Sequence, residues 1–598
     1  MTQVTRRAAV AALAGLAATP LVARAQGREP APPAWLAEAV NRIQKALADF
    51  DAPGAGVAIV ADGRVVLAQG FGVREQGGQA LVNADTQFVI ASCTKAFTSA
   101  GLGVLADAGT LTLDQPLREL MADFQLMDPV ASAGAVARDL LCHRTGLPRH
   151  DMVWYDNNAL SRPDLVRRLR YLEPSAPFRM RHQYNNLMYL TAGRLAEVVS
   201  GRSWEDFTRV HLLRPLGMTR TVFSVADMAR DSNAAKSHKR RRGVVEVVPY
   251  RNVDVLGPAG AINSTPRDIA RWMLLHLNGG EIEGRRLLSR DTLEQMHRPH
   301  TPLGQPSLSG DISDTLVGLG WRTDQYRGRR RVHHGGALDG FRAMVQLFPD
   351  QRAGVAVFVN VAPSELPEMI CRTVADRALG LEPRDWLGDA LTRAKVGEEA
   401  DTAARARKSE LRRANAPLSQ PLSAYAGLYE HPGYGRLSIT LAGDKLSVGY
   451  NAFTADLTHW HFDTFNGAAN ASRDDTFDDM RFQFETDLDG RIAAVSTPLE
   501  PTVKAIRFTR VPEAGWFDET ARARAVGDYQ MAGRRWRVTR IANQLYLQPP
   551  GNPPAKLELD IEPGFFVLAS NRFVRVRFSA AGMDLIQTDG IYQLSRMR

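Results

Sequence analysis

The stretch "ASCTKAFTS" (91–99) holds a serine and, three residues on, a lysine. Residues three apart on a helix share one face, so the Lys95 amine can reach the Ser92 hydroxyl. A serine hydroxyl is a poor nucleophile until a base takes its proton. Lysine serves as that base only where burial or positive neighbours depress its pKa. The flanking Ala91, Ala96, Phe97 and Ala100 are apolar, and a helix N-terminus disfavours a nearby cation. Lys95 is the only one of the nine lysines with a serine at that spacing before it. Two later stretches carry further polar groups. "RHQYNNLMYLTAGRLAEVVSG" (181–201) sets Tyr184 and Asn186 just before an amphipathic helical pattern. "RVHHGGALDGF" (331–341) sets His334, Gly335 and Gly336 on a β-rich run. Each has a plain structural reading too: Tyr184 packed under its helix, Asn186 as that helix's N-cap, and His334 as an exposed strand histidine beside His333.

These residues need a scaffold, and the chain supplies the signals for one. The segment 81–111 runs from a β-rich stretch into a helix ending near Gly109, which puts Ser92 at the helix N-terminus. A helical pattern covers Leu36 to Phe50, and "GAGVAIVADGRVVLAQGFGV" (54–73) reads as a hairpin turning at Asp62-Gly63. Helical segments dominate from about Thr94 to Leu277, and three β-rich runs return over 329–361. Strands at both ends of a helical region predict one antiparallel sheet flanked by helices, an α/β sandwich. We assign this domain to residues 26–390, followed by a charged helical linker over 391–417 without a broad apolar face. Short alternating strands then form two related all-β modules of barrel or sandwich type, 418–512 and 513–598. Gly427 and Tyr429 of the first align with Gly527 and Tyr529 of the second.

The 598-residue chain is 44% hydrophobic and 23% charged, with a formal charge of +9. That composition is soluble, globular and multidomain. The densest basic run, "KSHKRRRG" (236–243), lacks aromatic interleaving or a nucleic-acid motif and reads as a solvated loop, so no nucleic-acid partner is expected. Cys93, Cys142 and Cys371 make no disulfide framework and no zinc spacing. They read as buried thiols, and no metal or cofactor is expected. At the N-terminus, Arg6 and Arg7 precede an apolar stretch to Val22 and an Ala23-Arg24-Ala25 end. This pattern predicts a cleavable export signal over 1–25, similar to a twin-arginine signal, and a periplasmic or secreted mature chain. No other segment is apolar for long enough to form a stable membrane span.

Ser92-x-x-Lys95, Tyr184-x-Asn186 and His334-x-Gly336, in this order, resemble the penicillin-recognising serine hydrolases: class C β-lactamases, D-Ala-D-Ala carboxypeptidases, D-aminopeptidases and related esterases. "LLCHRTGLPRHD" (140–151) and "HGGALDGF" followed by "GVAVFVN" (354–360) extend the resemblance over about residues 35–380. It implies a β-lactamase/transpeptidase-like fold and a set of roles. Ser92 is acylated and Lys95 takes its proton. Tyr184, a phenol with cationic neighbours, relays protons to the leaving group. Asn186 binds the substrate's amide side chain. His334, Gly335 and Gly336 bind substrate, and the backbone N–H groups of Ser92 and Ala337 form the oxyanion hole. His143 reads as structural. Where many β-lactamases have lysine, position 334 is histidine, which titrates near neutrality. A substrate carboxylate held by it alone is lost as pH rises, unless Arg342 helps. The expectation is an exported acyl-enzyme peptidase or amidase on short or D-residue-containing peptides. A carboxylesterase or class C-type β-lactamase on the same site is the alternative. A binding protein with a vestigial hydrolase domain is the alternative of another class, and oligomeric state stays open. By analogy, the C-terminal modules roof the site.

Overall fold

The computed structural model describes residues 31–597 apart from 158, 242, 308–309, 414, 470–474 and 514–516. The export signal expected over 1–25 lies outside the described residues. Among these residues, eight strands make one antiparallel sheet: β1 (Gly54–Ala61), β2 (Arg64–Gly72), β3 (Thr301–Pro302), β4 (Leu316–Val317), β5 (Arg322–Tyr326), β6 (Arg329–Leu338), β7 (Phe341–Phe348) and β8 (Ala353–Val359). Their spatial order is β2-β1-β8-β7-β6-β5-β4-β3. β1 and β8 are apolar runs buried along their whole length, as befits strands covered on both faces. On one face lie α1 (Leu36–Asp49) and the later helix Leu366–Ala378, with their own apolar cluster. The other face meets α2 (Thr94–Asp107), α3 (Asn186–Ser200) and α4 (Pro266–Leu277). This is the α/β sandwich expected from the sequence.

Two local expectations are corrected. "KSHKRRRG" is not a loop: Ser237–Arg241 pairs with Val244–Val248 as a hairpin. Three of its cations are held in ion pairs, Lys239 to Asp475 at 2.6 Å, Arg240 to Asp51 at 3.3 Å and Arg241 to Glu246 at 3.3 Å. The charged helix begins at Trp386, earlier than expected, and ends at Ser409. Trp386 and Ala390 anchor its first turns in an apolar cluster before the exposed, charged remainder.

The C-terminal strands close into two eight-stranded barrels, Gly427–Val511 and Gly527–Arg596. The first barrel and the helical side of the eight-stranded sheet belong to one continuous hydrophobic cluster. The second has a cluster of its own, around Tyr529, Trp536, Leu547 and Phe566. All three cysteines are free and buried.

Candidate active site

Ser92 sits in a tight helical turn, Ala91–Cys93, that runs directly into α2. Ala91 holds φ +46, a left-handed conformation that costs a non-glycine residue roughly 1–3 kcal/mol and persists only where its surroundings enforce it. The Ile90 N–H donates to Ile262 O, and the Ile262 N–H to Thr94 Oγ1, each at 3.1 Å. Strand β6 closes on the same turn. A Cβ at Gly336 would lie 2.1 Å from Ile90 O, so only glycine permits this approach. Cys93 points away from the cavity into the core, its thiol 3.3 Å from His334 O.

Lys95 is fully buried beneath Ser92. Its Nζ lies 3.1 Å from Ser92 Oγ, 2.7 Å from Asn186 Oδ1 and 2.8 Å from Ala259 O. The last two are pure acceptors. A neutral amine gives its two N–H bonds to them and keeps one lone pair for the Ser92 hydroxyl. Burial lowers the Lys95 pKa from its ordinary value; Tyr184 opposes this and Arg149 adds to it. The arrangement is therefore able to hold lysine as a base. Ala259 reaches Lys95 because α3 carries Gly193, where a Cβ would strike Pro258 at 2.0 Å.

Tyr184 completes the cluster, its OH donating to Ser92 Oγ at 2.9 Å. Lys95 Nζ and the Arg149 guanidinium lie 4.9 and 5.1 Å from its ring centre. Burial raises the phenol's pKa, but Lys95, the Ser92 hydroxyl and Arg149 outweigh it, and the net displacement is downward. His143 packs tilted against the same ring, centroids 4.5 Å apart, and accepts the Asn185 N–H. Asn185, not Asn186, caps α3, its side chain accepting the Met188 N–H at 3.2 Å. That frees the Asn186 amide for Lys95 and for Asp151, to which its Nδ2 donates at 3.0 Å.

His334 corrects the expected titratable anchor. Burial, then Arg322 and Lys95, push its pKa well below the histidine range. Its Nδ1 faces Gly335 O at 2.7 Å and must carry the ring proton, so Nε2 is an acceptor. The ring is neutral and cannot hold a carboxylate as a cation. Arg342 is engaged with Leu338 O and Phe341 O. Arg322, on β5, is a cation in the cavity wall that sequence reasoning passed over.

Ser92, Tyr184, Asn186, His334, Gly335, Gly336 and Ala337 line one open cavity of about 1360 Å³, with Lys95 just below its floor. Strand β5 pairs with β6 only as far as His333. Beyond it, residues 334–338 border the cavity with no strand partner on that side among the described residues. The sequence reading missed Arg149, Asp151 and Ala259. The first two lie at the end of the quoted 140–151 stretch, where they were given no role; a backbone carbonyl leaves no signal in residue type.

Residues 40–379 match the family described as Beta-lactamase, and 411–510 match a domain of unknown function, DUF3471. Among curated relatives, "Unguisins hydrolase ungD'" of Aspergillus campestris is 30% identical over 418 residues, 66% of this chain and 76% of the relative. "Protein flp" of Staphylococcus aureus is 25% identical over 327 residues, covering 53% of this chain and 61% of that one. The octameric penicillin-binding protein homologue from Pyrococcus abyssi shares the fold, with TM-score 0.53 and 19% identity over 86% of this chain and 99% of that one. The chain belongs to the Beta-lactamase family, whose members are serine hydrolases.

Proposed function

We propose that the protein is an exported serine hydrolase that cleaves amide bonds in short or D-residue-containing peptides through an acyl-Ser92 intermediate. One observation carries this reading: Lys95 is buried, with both hydrogens of its neutral form committed to Asn186 and Ala259 and its lone pair left for Ser92. Lys95 takes the hydroxyl proton as Ser92 Oγ bonds to the substrate carbonyl carbon. The Ser92 and Ala337 N–H groups meet the developing oxyanion; in comparable sites one such donor is worth roughly 10²–10³ in rate. Tyr184 passes the proton to the leaving nitrogen, the C–N bond breaks, and water then hydrolyses the ester. The open edge of β6 suits an extended peptide backbone, which can pair with it as a further strand. The N-terminal sequence supports export. A relative named as a hydrolase supports the reaction class. One observation favours the carboxylesterase reading on the same site: neutral His334 supplies no charge for a substrate carboxylate.

The test is intact-mass measurement after exposure to a penicillin and to a small activated ester, with Ser92→Ala alongside. An adduct on the wild type alone is expected. A long-lived penicilloyl adduct indicates a peptidase, rapid penicillin turnover a β-lactamase, and ester turnover alone an esterase. An unmodified wild type with no turnover overturns the acyl-enzyme reading in favour of a binding protein.

A further inference from the structure

Asp151 ends the quoted 140–151 stretch, where the resemblance gives it no role, yet it is bonded to three side chains of the site. It accepts from Asn186 Nδ2 at 3.0 Å, Trp154 Nε1 at 3.0 Å and Arg149 Nε at 2.5 Å. A carboxylate only accepts, so Asn186 must turn its nitrogen to Asp151 and its oxygen to Lys95. With the amide reversed, an NH₂ would face the amine, and Lys95 would lose one of the two acceptors that direct its lone pair.

Asp151 is held from the other side of the domain boundary. Its neighbour His150 has φ +46, a left-handed conformation that β-carbon sterics disfavour. Two residues of the first barrel fix it there. Glu500 Oε2 accepts the His150 N–H at 2.8 Å, and the Tyr434 hydroxyl donates to His150 Nδ1 at 2.7 Å, while Nε2 donates to Glu173 O at 2.9 Å. Further along, Asn451 Nδ2 donates to Met152 O at 2.9 Å and Tyr155 O at 3.0 Å, and the Tyr450 hydroxyl donates to Met152 O at 3.0 Å. Phe453 stacks on Tyr155 at 5.5 Å.

We infer that Asp151 is a positioning residue that sets the Asn186 amide and so aims Lys95 at Ser92, and that the first barrel holds Asp151 in register through Glu500 and Tyr434. The inference rests on the acyl-enzyme reading above. It makes the barrel a structural part of the active site, coupled to it through one loop.

The test measures kcat and KM for a small activated ester, together with thermal midpoints, on full-length variants. Asp151→Leu, nearly isosteric but unable to accept, is expected to lower kcat about 100-fold with KM little changed, the usual scale for a misaimed catalytic group. Asp151→Asn, which keeps an acceptor for Asn186, recovers most of that loss. Glu500→Leu lowers kcat about 10-fold, and Glu500→Gln, still an acceptor for the His150 N–H, restores it. The double variant Asp151→Leu/Glu500→Leu is no slower than Asp151→Leu alone, because both act on one element. An Asp151→Leu rate within threefold of wild type, fully multiplicative losses in the double variant, or losses that track the folded fraction overturn the inference. A wild type that never acylates overturns the mechanism instead, so the two failures are distinguishable.

Discussion

The two C-terminal barrels close in the same way and end in different places. In each, a glycine opens the first strand at extreme positive φ, +151 at Gly427 and +156 at Gly527. Two residues on, a tyrosine hydroxyl donates to the carbonyl four residues earlier: Tyr429 to Tyr425 O at 2.7 Å, Tyr529 to Ala525 O at 2.8 Å. An arginine near the chain's return, Arg510 or Arg596, covers the glycine and ties down the entering segment. The turns diverge. The first hairpin of the first barrel presents Tyr434, where the second barrel has only Ala532-Gly533 between paired strands. The last connection spans 498–505 and carries Glu500, against Thr588-Asp589 in the second. Closure is thus a property of the strands that tolerates duplication, while the role of each copy is written in its turns. The first barrel bonds to the 149–155 loop of the hydrolase domain, and the second contacts the first through Arg491 and Asp560 at 3.2 Å.

Deletions separate the copies most sharply. Removing residues 514–598 should leave the Ser92 acylation rate within about threefold of wild type, since the second barrel keeps its own core. Removing 411–598 should abolish acylation, because the remaining domain loses part of its hydrophobic cluster and the support of its active-site loop. Equal behaviour of the two truncations, read by adduct formation, would break the comparison.

Acid separates the second barrel from the catalytic domain next. The catalytic domain buries His143, His276, His297 and His334 as neutral rings, burial pushing His297 to about 3 and the other three well below the ordinary value. Below pH 6.5 the unfolded chain binds protons that these folded rings refuse, so stability falls with falling pH, by about 1.4 kcal/mol per histidine per pH unit. The second barrel contains no histidine, and Arg537 and Arg535 hold Asp528 down to about 2. Calorimetry from pH 7.5 to 5.5 should move the catalytic transition down by several degrees and leave the second-barrel transition in place. A common shift would contradict the assignment.

The smallest contrast is at closure itself. Tyr429→Phe and Tyr529→Phe each delete one buried hydrogen bond and should cost about 1 kcal/mol in their own barrel. Chemical denaturation reports both losses; only Tyr429→Phe should also slow ester turnover.

Much of the site was legible because its parts lie in short windows. Ser92 and Lys95 are one helical turn apart, and Tyr184 and Asn186 are two residues apart. The Gly-x-Tyr repeat was legible for the same reason. What could not be read depends on contacts distant in the chain. Nothing around Glu500 announces His150, 350 residues away. Asn186 was read as a possible cap because adjacent asparagines have equal capping propensity, and only the backbone decides that Asn185 does it. The basic run at 236–243 looked solvated by residue type, but pairing with Val244–Val248 prevailed over charge. The neutral state of His334 depends on its burial and on Arg322, neither visible in its own motif.

The hydrophobic cluster shared by the catalytic domain and the first barrel has a consequence for the order of biosynthesis. Residues 40–379 emerge before 411–510, so the hydrolase domain exists for a time with an apolar flank uncovered and the 149–155 loop without its barrel partners. At about 5–20 residues per second, that interval lasts on the order of 5–25 seconds. During it the chain already carries its serine, and on the acyl-enzyme reading proposed above it is expected to become competent once residues 411–510 have emerged.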